Sequence, residues 1–358
     1  MFLTNLVTSR PATERSLFFS PKNLGYLFLL LLLSPALSAQ IQLPPPPPLP
    51  PPPGTQPDQS HSIKSNVDLV VLHVTVTNSR GAFVPGLAQD SFRVYEDKQE
   101  QKLSVFSKDD VPVTMGLVVD NSGSMREKRS QVNAAALAFV TTSNPQDEAF
   151  VVNFNDEYYL DTEGDFTSDA KELNEALGRI DSRGSTALYD AVIGSLTHIK
   201  KGHKDKRVLL VITDGDDDAS TKTLAQTMKA AQESNATIYT IGVFSDDDRA
   251  HQKAMVRRSK KELSDLSEVT GGAAYFPETL EEVGPVCEQV ARDIRNQYTL
   301  GYYPSNAAKD GTFRSVHVDV LPPKGESKLV VRTRTGYYAQ KQAASAEVSS
   351  PAKTPAGN

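Results

Sequence analysis

Two hydrophobic periods alternate along this chain. From residue 67 onward, Val70, Leu72, Val74 and Val76 take turns with Val71, His73, Thr75 and Thr77. That two-residue period describes a strand with one buried face. Asn78-Ser79-Arg80-Gly81 interrupts it as a turn, and Phe92 with Val94, then Leu103 with Val105, predict two more strands around 96–101. His73 falls on the more polar face and reads as a surface residue. From about 113 to 296 the pattern changes to continuous apolar runs separated by amphipathic stretches. The runs predict strands at 111–119, 149–154, 208–213, 237–244 and 273–276, with a short edge strand at 158–161. Helices are expected from about 125, where Val132, Ala135, Ala136, Phe139 and Val140 form a stripe, and at 170–180, 186–199, 224–232, 261–269 and 285–296. The loop after Phe244, which holds His251, reads as long and polar. Beyond 296 the two-residue period returns in Tyr298, Leu300 and Tyr302, in Val316, Val318 and Val320, and in Leu329 and Val331.

Alternating strands and helices predict an α/β class, a doubly wound and mostly parallel sheet. Each flank, with about three strands, leaves an apolar face and open edges. The flanks are therefore expected to pair into one β-sandwich with the α/β domain inserted between them; two separate small modules are the alternative. The resulting division is 1–39, an export signal; 40–65, a proline-rich linker; 66–108, an N-terminal β segment; 109–296, the α/β domain; 297–338, a C-terminal β segment; and 339–358, a disordered tail.

The signal reading rests on a basic start, an apolar stretch from Leu24 to Leu33 and the small residues Ala36, Ser38 and Ala39. The stretch is short for a spanning helix, so membrane contact is expected only through an uncleaved signal, if at all. The place implied is periplasm, cell envelope or the extracellular space. Pro44 to Pro53, broken by Leu49, is a polyproline II spacer. The formal charge of −6 becomes −8 without residues 1–39, which argues against a nucleic-acid partner. Cys287 is the single cysteine, which leaves no intramolecular disulfide and no multi-cysteine zinc site.

The chemistry gathers where apolar runs stop. The run through Leu117, Val118 and Val119 ends in Asp120-Asn121-Ser122-Gly123-Ser124-Met125, which puts three hard oxygen side chains on one tight loop. Alone, D-x-S-x-S also reads as a helix cap. Two further pieces follow in order: Gly184-Ser185-Thr186 opens a helix, and a second buried strand ends in Thr213-Asp214-Gly215. In open α/β sheets ligands bind beyond the carboxyl ends of strands, where both carboxylates fall. Hard oxygens of low total charge suit Mg²⁺ or Mn²⁺ and admit Ca²⁺. The acidic runs 216–218 and 246–248 are expected on the same edge, either as a solvated rim or as a weaker Ca²⁺ site.

At these residues the chain resembles the von Willebrand factor type A (VWA) family. Asp120, Ser122, Ser124, Thr186 and Asp214 look like its complete metal-ion-dependent adhesion site (MIDAS). The flanks, with Asp90-Ser91-Phe92-Arg93-Val94-Tyr95-Glu96-Asp97 and Gln297-Tyr298-Thr299-Leu300-Gly301-Tyr302-Tyr303, resemble the longer VWA-related proteins of acidobacterial type. The resemblance implies a metal-bridged contact with an Asp or Glu carboxylate of a partner protein. It also implies that the last helix slides when ligand binds. Arg295-Asn296-Gln297 offers no Gly or Pro hinge, so the junction either transmits such a slide or simply fixes domain geometry.

The expectation is thus an exported adhesion-type binding module and not an enzyme. The alternatives are a structural envelope module whose ion serves folding, or a metal-dependent hydrolase. Against catalysis, no phosphate-binding glycine loop or G-x-S-x-G elbow follows a strand, and position 122 holds serine where an aspartyl-phosphate enzyme wants a second carboxylate.

Overall fold

The computed structural model describes residues 68–341 except 142, 143, 180, 324, 326 and 327. The expected signal, the proline-rich linker and nearly all of the expected tail lie outside the described residues. All described residues fall within one compact unit.

The N-terminal flank forms β1 (Val70–Asn78), β2 (Phe92–Glu96), β3 (Gln99–Gln101) and β4 (Leu103–Ser107). The α/β region follows: β5 (Val113–Asp120), α1 (Arg129–Thr141), β6 (Glu148–Phe154), β7 (Tyr158–Leu160), α2 (Ala170–Leu177), α3 (Leu188–His198), β8 (Lys206–Thr213), α4 (Leu224–Glu233), β9 (Ala236–Gly242), α5 (Asp246–His251), α6 (Lys253–Glu268), β10 (Ala274–Tyr275) and α7 (Val283–Arg295). The C-terminal flank contributes β11 (Tyr298–Tyr302), β12 (Phe313–Val320), β13 (Leu329–Arg332) and β14 (Gly336–Tyr338).

The central sheet runs β10-β9-β8-β5-β6-β7, parallel throughout except for β7 at one edge. Every residue of β5 is buried, as strands covered on both faces require. One face is packed by α1, α2 and α7 through Val132, Phe139, Leu173, Leu177, Val290 and Ile294. The other is packed by α3, α4 and α6 through Leu188, Val192, Leu196, Ala231, Leu263 and Leu266. At Gly116 a Cβ would lie 2.4 Å from Leu209 and 2.5 Å from Phe150, so the layers close only over a glycine. The doubly wound class expected from the pattern is the class observed.

The flanks do combine. Two antiparallel sheets, β13-β1-β11-β4 and β14-β12-β2-β3, each mix strands from both ends of the chain. Val74 lies opposite Tyr298 and Val94 opposite Val318. Leu72, Val74, Val76, Phe92, Tyr298, Leu300 and Tyr302 fill the space between the sheets. Buried Glu96 accepts hydrogen bonds from Tyr302 (2.8 Å) and Tyr337 (2.7 Å), which satisfies a carboxylate an apolar core would otherwise reject.

Several expectations are corrected. The helix expected from residue 125 begins at Arg129, because Gly123–Met125 winds as a 3-10 turn around the loop. The long polar loop after Phe244 is α5, started by a Ser245–Asp248 capping box; its acidic run sits in the first helical turn, where the helix dipole favours negative charge. Helix α6 starts eight residues earlier than expected, and β14 was not foreseen. His73 is half-buried and not freely exposed. It lines a cavity of about 850 Å³ between the sandwich and the amino-terminal ends of the central strands, together with Leu69, Val71, Lys206, Arg207 and Arg334. Burial, then the charges of Lys206 and Arg334, hold its imidazole down to about 3.

Candidate metal site

Strand β5 ends at Asp120 and β8 at Thr213, and from this pair the chain winds outward in opposite directions. The crevice between such strands is where open α/β sheets place ligands. The register sets Val119 beside Ile212, which carries Thr213 alongside Asp120. Asp120 is fully buried. Its Oδ1 accepts from the Ser122 amide (2.7 Å) and its Oδ2 from the Thr213 hydroxyl (2.6 Å). The Ser122 and Ser124 hydroxyls lie 3.0 Å apart, and Ser124 Oγ donates to Asp214 Oδ1 at 2.8 Å.

The third loop is laced to the first. The Gly123 amide donates to Gly184 O (3.1 Å) and the Arg183 amide to Asn121 O (3.0 Å). Gly184 has φ +74°, and a Cβ there would stand 2.1 Å from the Asp156 carboxylate, which accepts from the Ser185 amide at 2.9 Å. Glycine is thus the residue that lets this loop close down. Thr186 is held through its backbone: its amide donates to Asp218 Oδ1 (2.7 Å) and its carbonyl accepts from the Asp218 and Ala219 amides (3.1 and 3.2 Å). Its hydroxyl has no hydrogen-bond partner among the described residues and faces Gly215, where a Cβ would lie 3.7 Å from Oγ1. All five residues singled out from the sequence therefore share one sheet edge. The cavity lined by His73 is at the other end of the strands, so the candidate site is a surface of loops and not that hollow.

The donor set fits a hard divalent cation. It offers two carboxylates, three hydroxyls and no soft ligand. Burial first, and the charge of Asp214 second, push the Asp120 acid up to about 6 against the hydrogen bonds from Thr213 and Ser122. Two buried like charges so close favour the entry of positive charge. Among the described residues no three His, Cys, Asp or Glu side chains gather as a metal cage. The site accordingly depends on its hydroxyl oxygens. The second Ca²⁺ site weighed for the acidic runs is not formed: Asp216 pairs with Arg258, Asp217 accepts from the Tyr189 amide and Ser220 Oγ, Asp218 holds Thr186, and Asp248 caps α5. These carboxylates have separate partners, and among the described residues no three of them gather as a cation cage.

Lys128 was not foreseen. Its side chain is 8% exposed, and Nζ donates to Asp214 Oδ2 (2.5 Å) and Val243 O (3.0 Å). In the sequence it sits between Glu127 and Arg129 in a polar stretch, with no periodic mark of burial. Thr213 could have been found, because two buried strands ending in register bring their last polar residues together.

Residues 115–216 match the family described as von Willebrand factor type A domain. Among curated proteins none matches the chain. Similar solved structures include the vWF domain of the type V pili tip protein Mfa5 from Porphyromonas gingivalis, at 12% identity and TM-score 0.43, covering 51% of this chain and 95% of that one. A von Willebrand factor type A protein from Catenulispora acidiphila aligns at 13% identity and TM-score 0.44, covering 76% and 75%. Proximal thread matrix protein 1 from the mussel byssus, solved with a zinc-occupied MIDAS motif, aligns at 16% identity and TM-score 0.43, covering 56% and 49%.

Proposed function

The chain carries a von Willebrand factor type A domain, matched over residues 115–216, and from that premise we propose that it is an exported, metal-dependent protein-binding module. Asp120, Ser122, Ser124, Thr186 and Asp214 would hold Mg²⁺ or Mn²⁺, with Ca²⁺ as a weaker substitute. The bound ion would supply a Lewis-acidic position open to an Asp or Glu carboxylate of the partner. One observation carries the reading: three loops deliver two buried carboxylates and three hydroxyls to the switch point of the sheet, and the hydroxyl of Thr186 is still without a partner among the described residues.

The chain's own residues divide the work. Thr213 and the Ser122 amide orient Asp120, Ser124 orients Asp214, and Asp218 fixes the backbone that presents Thr186. Among the described residues no histidine is hydrogen-bonded to Asp120, Ser122, Ser124, Thr186 or Asp214. The described histidines contact other groups: His73 Thr299, His198 Asp165, His203 Glu148, His251 Asp247 and His317 Asp319. This arrangement supports a reading of binding. Export is inferred from the apolar N-terminal stretch, and among the described residues no helix is long and apolar enough to cross a membrane.

Calorimetric titration of the full chain should give one Mg²⁺ or Mn²⁺ site, lost in Asp120→Ala with the fold retained. A pull-down from envelope extract should then capture a partner in Mg²⁺, and neither in chelator nor with Asp120→Ala. Metal binding that raises the melting temperature, with no metal-dependent capture, would reassign the ion to folding. Equal metal binding by Asp120→Ala would remove the proposed site.

A further inference from the structure

The Lys128 ammonium occupies an unusual place. It sits at the start of α1, buried, on the far side of Asp214 from Ser124: Oδ1 takes the Ser124 hydroxyl and Oδ2 takes Nζ. Its other contacts are Val243 O at 3.0 Å and the Asp248 carboxylate at 3.9 Å. Burying an ammonium is costly unless it is paired. Here it is paired with one of the two carboxylates meant for an ion, and both oxygens of that carboxylate are already committed.

Resting on the function proposed above, we infer that Lys128 is a built-in counter-cation that sets the charge of the loaded site and thereby selects an anionic partner group. Asp120, Asp214 and Lys128 together carry one net negative charge; the Asp248 carboxylate, 3.9 Å from Nζ, is held by Ser245 and lies outside the proposed ligand set. A divalent ion added to them leaves one net positive charge, which seeks an anion. Without the lysine, the same two carboxylates would neutralise the ion, and little electrostatic reason would remain to recruit an Asp or Glu. By holding Oδ2, Lys128 also occupies one oxygen of Asp214. The lysine therefore acts in opposite directions on the two binding steps: it weakens the metal and strengthens the carboxylate that follows. It is a positioning residue and touches neither the ion nor the partner.

This opposition is what distinguishes the idea from a merely structural ion pair, whose loss would weaken both steps. The full chain and its Lys128→Met and Lys128→Arg variants are titrated with Mg²⁺ by calorimetry. Acetate is then titrated into each Mn²⁺-loaded protein, with water-proton relaxation as the readout. Lys128→Met should bind Mg²⁺ about tenfold more tightly and acetate about tenfold more weakly, as expected for removing one unit charge from a poorly solvated site. Lys128→Arg should stay near wild type in both. Should Lys128→Met lack a cooperative melt without metal, the Mg²⁺ concentration that restores the melt reports the same affinity. Restoration below the wild-type dissociation constant supports the inference, and no restoration overturns it. Unchanged or weaker Mg²⁺ binding by Lys128→Met, with wild type binding normally, also overturns it while leaving the proposed function standing. Absence of Mg²⁺ and Mn²⁺ binding in wild type would instead remove that function.

Discussion

Two lysines with opposite fortunes show how burial assigns work to single residues. Lys128 is matched with a carboxylate. Lys206, 5% exposed at the start of β8, donates among the described residues only to the Ile294 carbonyl at the end of α7. Burial, then the nearby charge of Arg295, hold its ammonium down to about 7, although Asp110 and Asp147 pull the other way. Its usual value is 10.5. Between those values the unfolded chain binds more protons than the folded one, so stability rises with pH across that window. The cost of the buried lysine is full below about pH 7 and fades toward pH 10.5. Lys206→Met should therefore stabilise the protein at neutral pH by about 2 kcal/mol, less the lost hydrogen bond. The gain should shrink steadily above pH 7. Melting temperatures of both proteins from about pH 6 to about pH 10 check this, and a gain that grows with pH would contradict it.

At the scale of elements, the junction between α7 and β11 is the informative place. Sequence left it as either a transmitter of helix movement or a rigid joint. The structure ties it down from three directions. Asp293 of α7 pairs with Arg332 of β13 and accepts from Tyr275 Oη at 2.9 Å. Arg295 bridges to Asp110 and to buried Asp147. Gln297, 3% exposed, donates to Thr75 Oγ1 and Tyr239 Oη, each at 3.2 Å. These three sets of bonds tie the helix to the central sheet and to the sandwich. Asp293→Asn would leave Arg332 short of its counter-charge and should cost about 3 kcal/mol, as expected for breaking a largely buried pair. Chemical denaturation measures it. A loss below about 0.5 kcal/mol would place the pair with exposed ion pairs of little worth.

For the whole molecule, those bonds predict that α/β region and sandwich move as one. Spin labels at Asp319→Cys on β12 and Lys229→Cys on α4 probe the two parts, and buried Cys287 is expected not to react. The distance distribution should be the same with and without Mg²⁺ plus acetate. A shift approaching one helical turn, about 5.4 Å, would restore the transmitting junction. The strand pairings add a second constraint: β1 is hydrogen-bonded on both sides by strands from the far end of the chain. The sandwich thus closes over a separation of more than two hundred residues, a slow kind of contact to form.

Much of this was written in local pattern. The switch between two-residue alternation and continuous apolar runs is a direct consequence of whether one or both faces of a strand are covered, so it marked both regions before any contact was known. The metal candidates Asp120, Ser122, Ser124, Thr186 and Asp214 were legible because a buried parallel strand has to stop at its polar end, and the polar residues there lie at the edge where the ends meet. What local pattern lacks is the direction of a long side chain and the identity of whatever fills the space beside it. Lys128 stands among charged neighbours and reads as solvated; only the packing of α1 against the β9–α5 connection turns its ammonium onto Asp214. His73 alternates correctly for an outward face, but at that point the face borders the cavity beside the central domain and is only half-exposed. The acidic runs fell where expected, yet partners of the first run, Arg258 of α6 and the amides of Thr186 and Tyr189, come from other elements. Periodicity reports which face of an element is apolar. Which charge meets which is decided only when the elements pack.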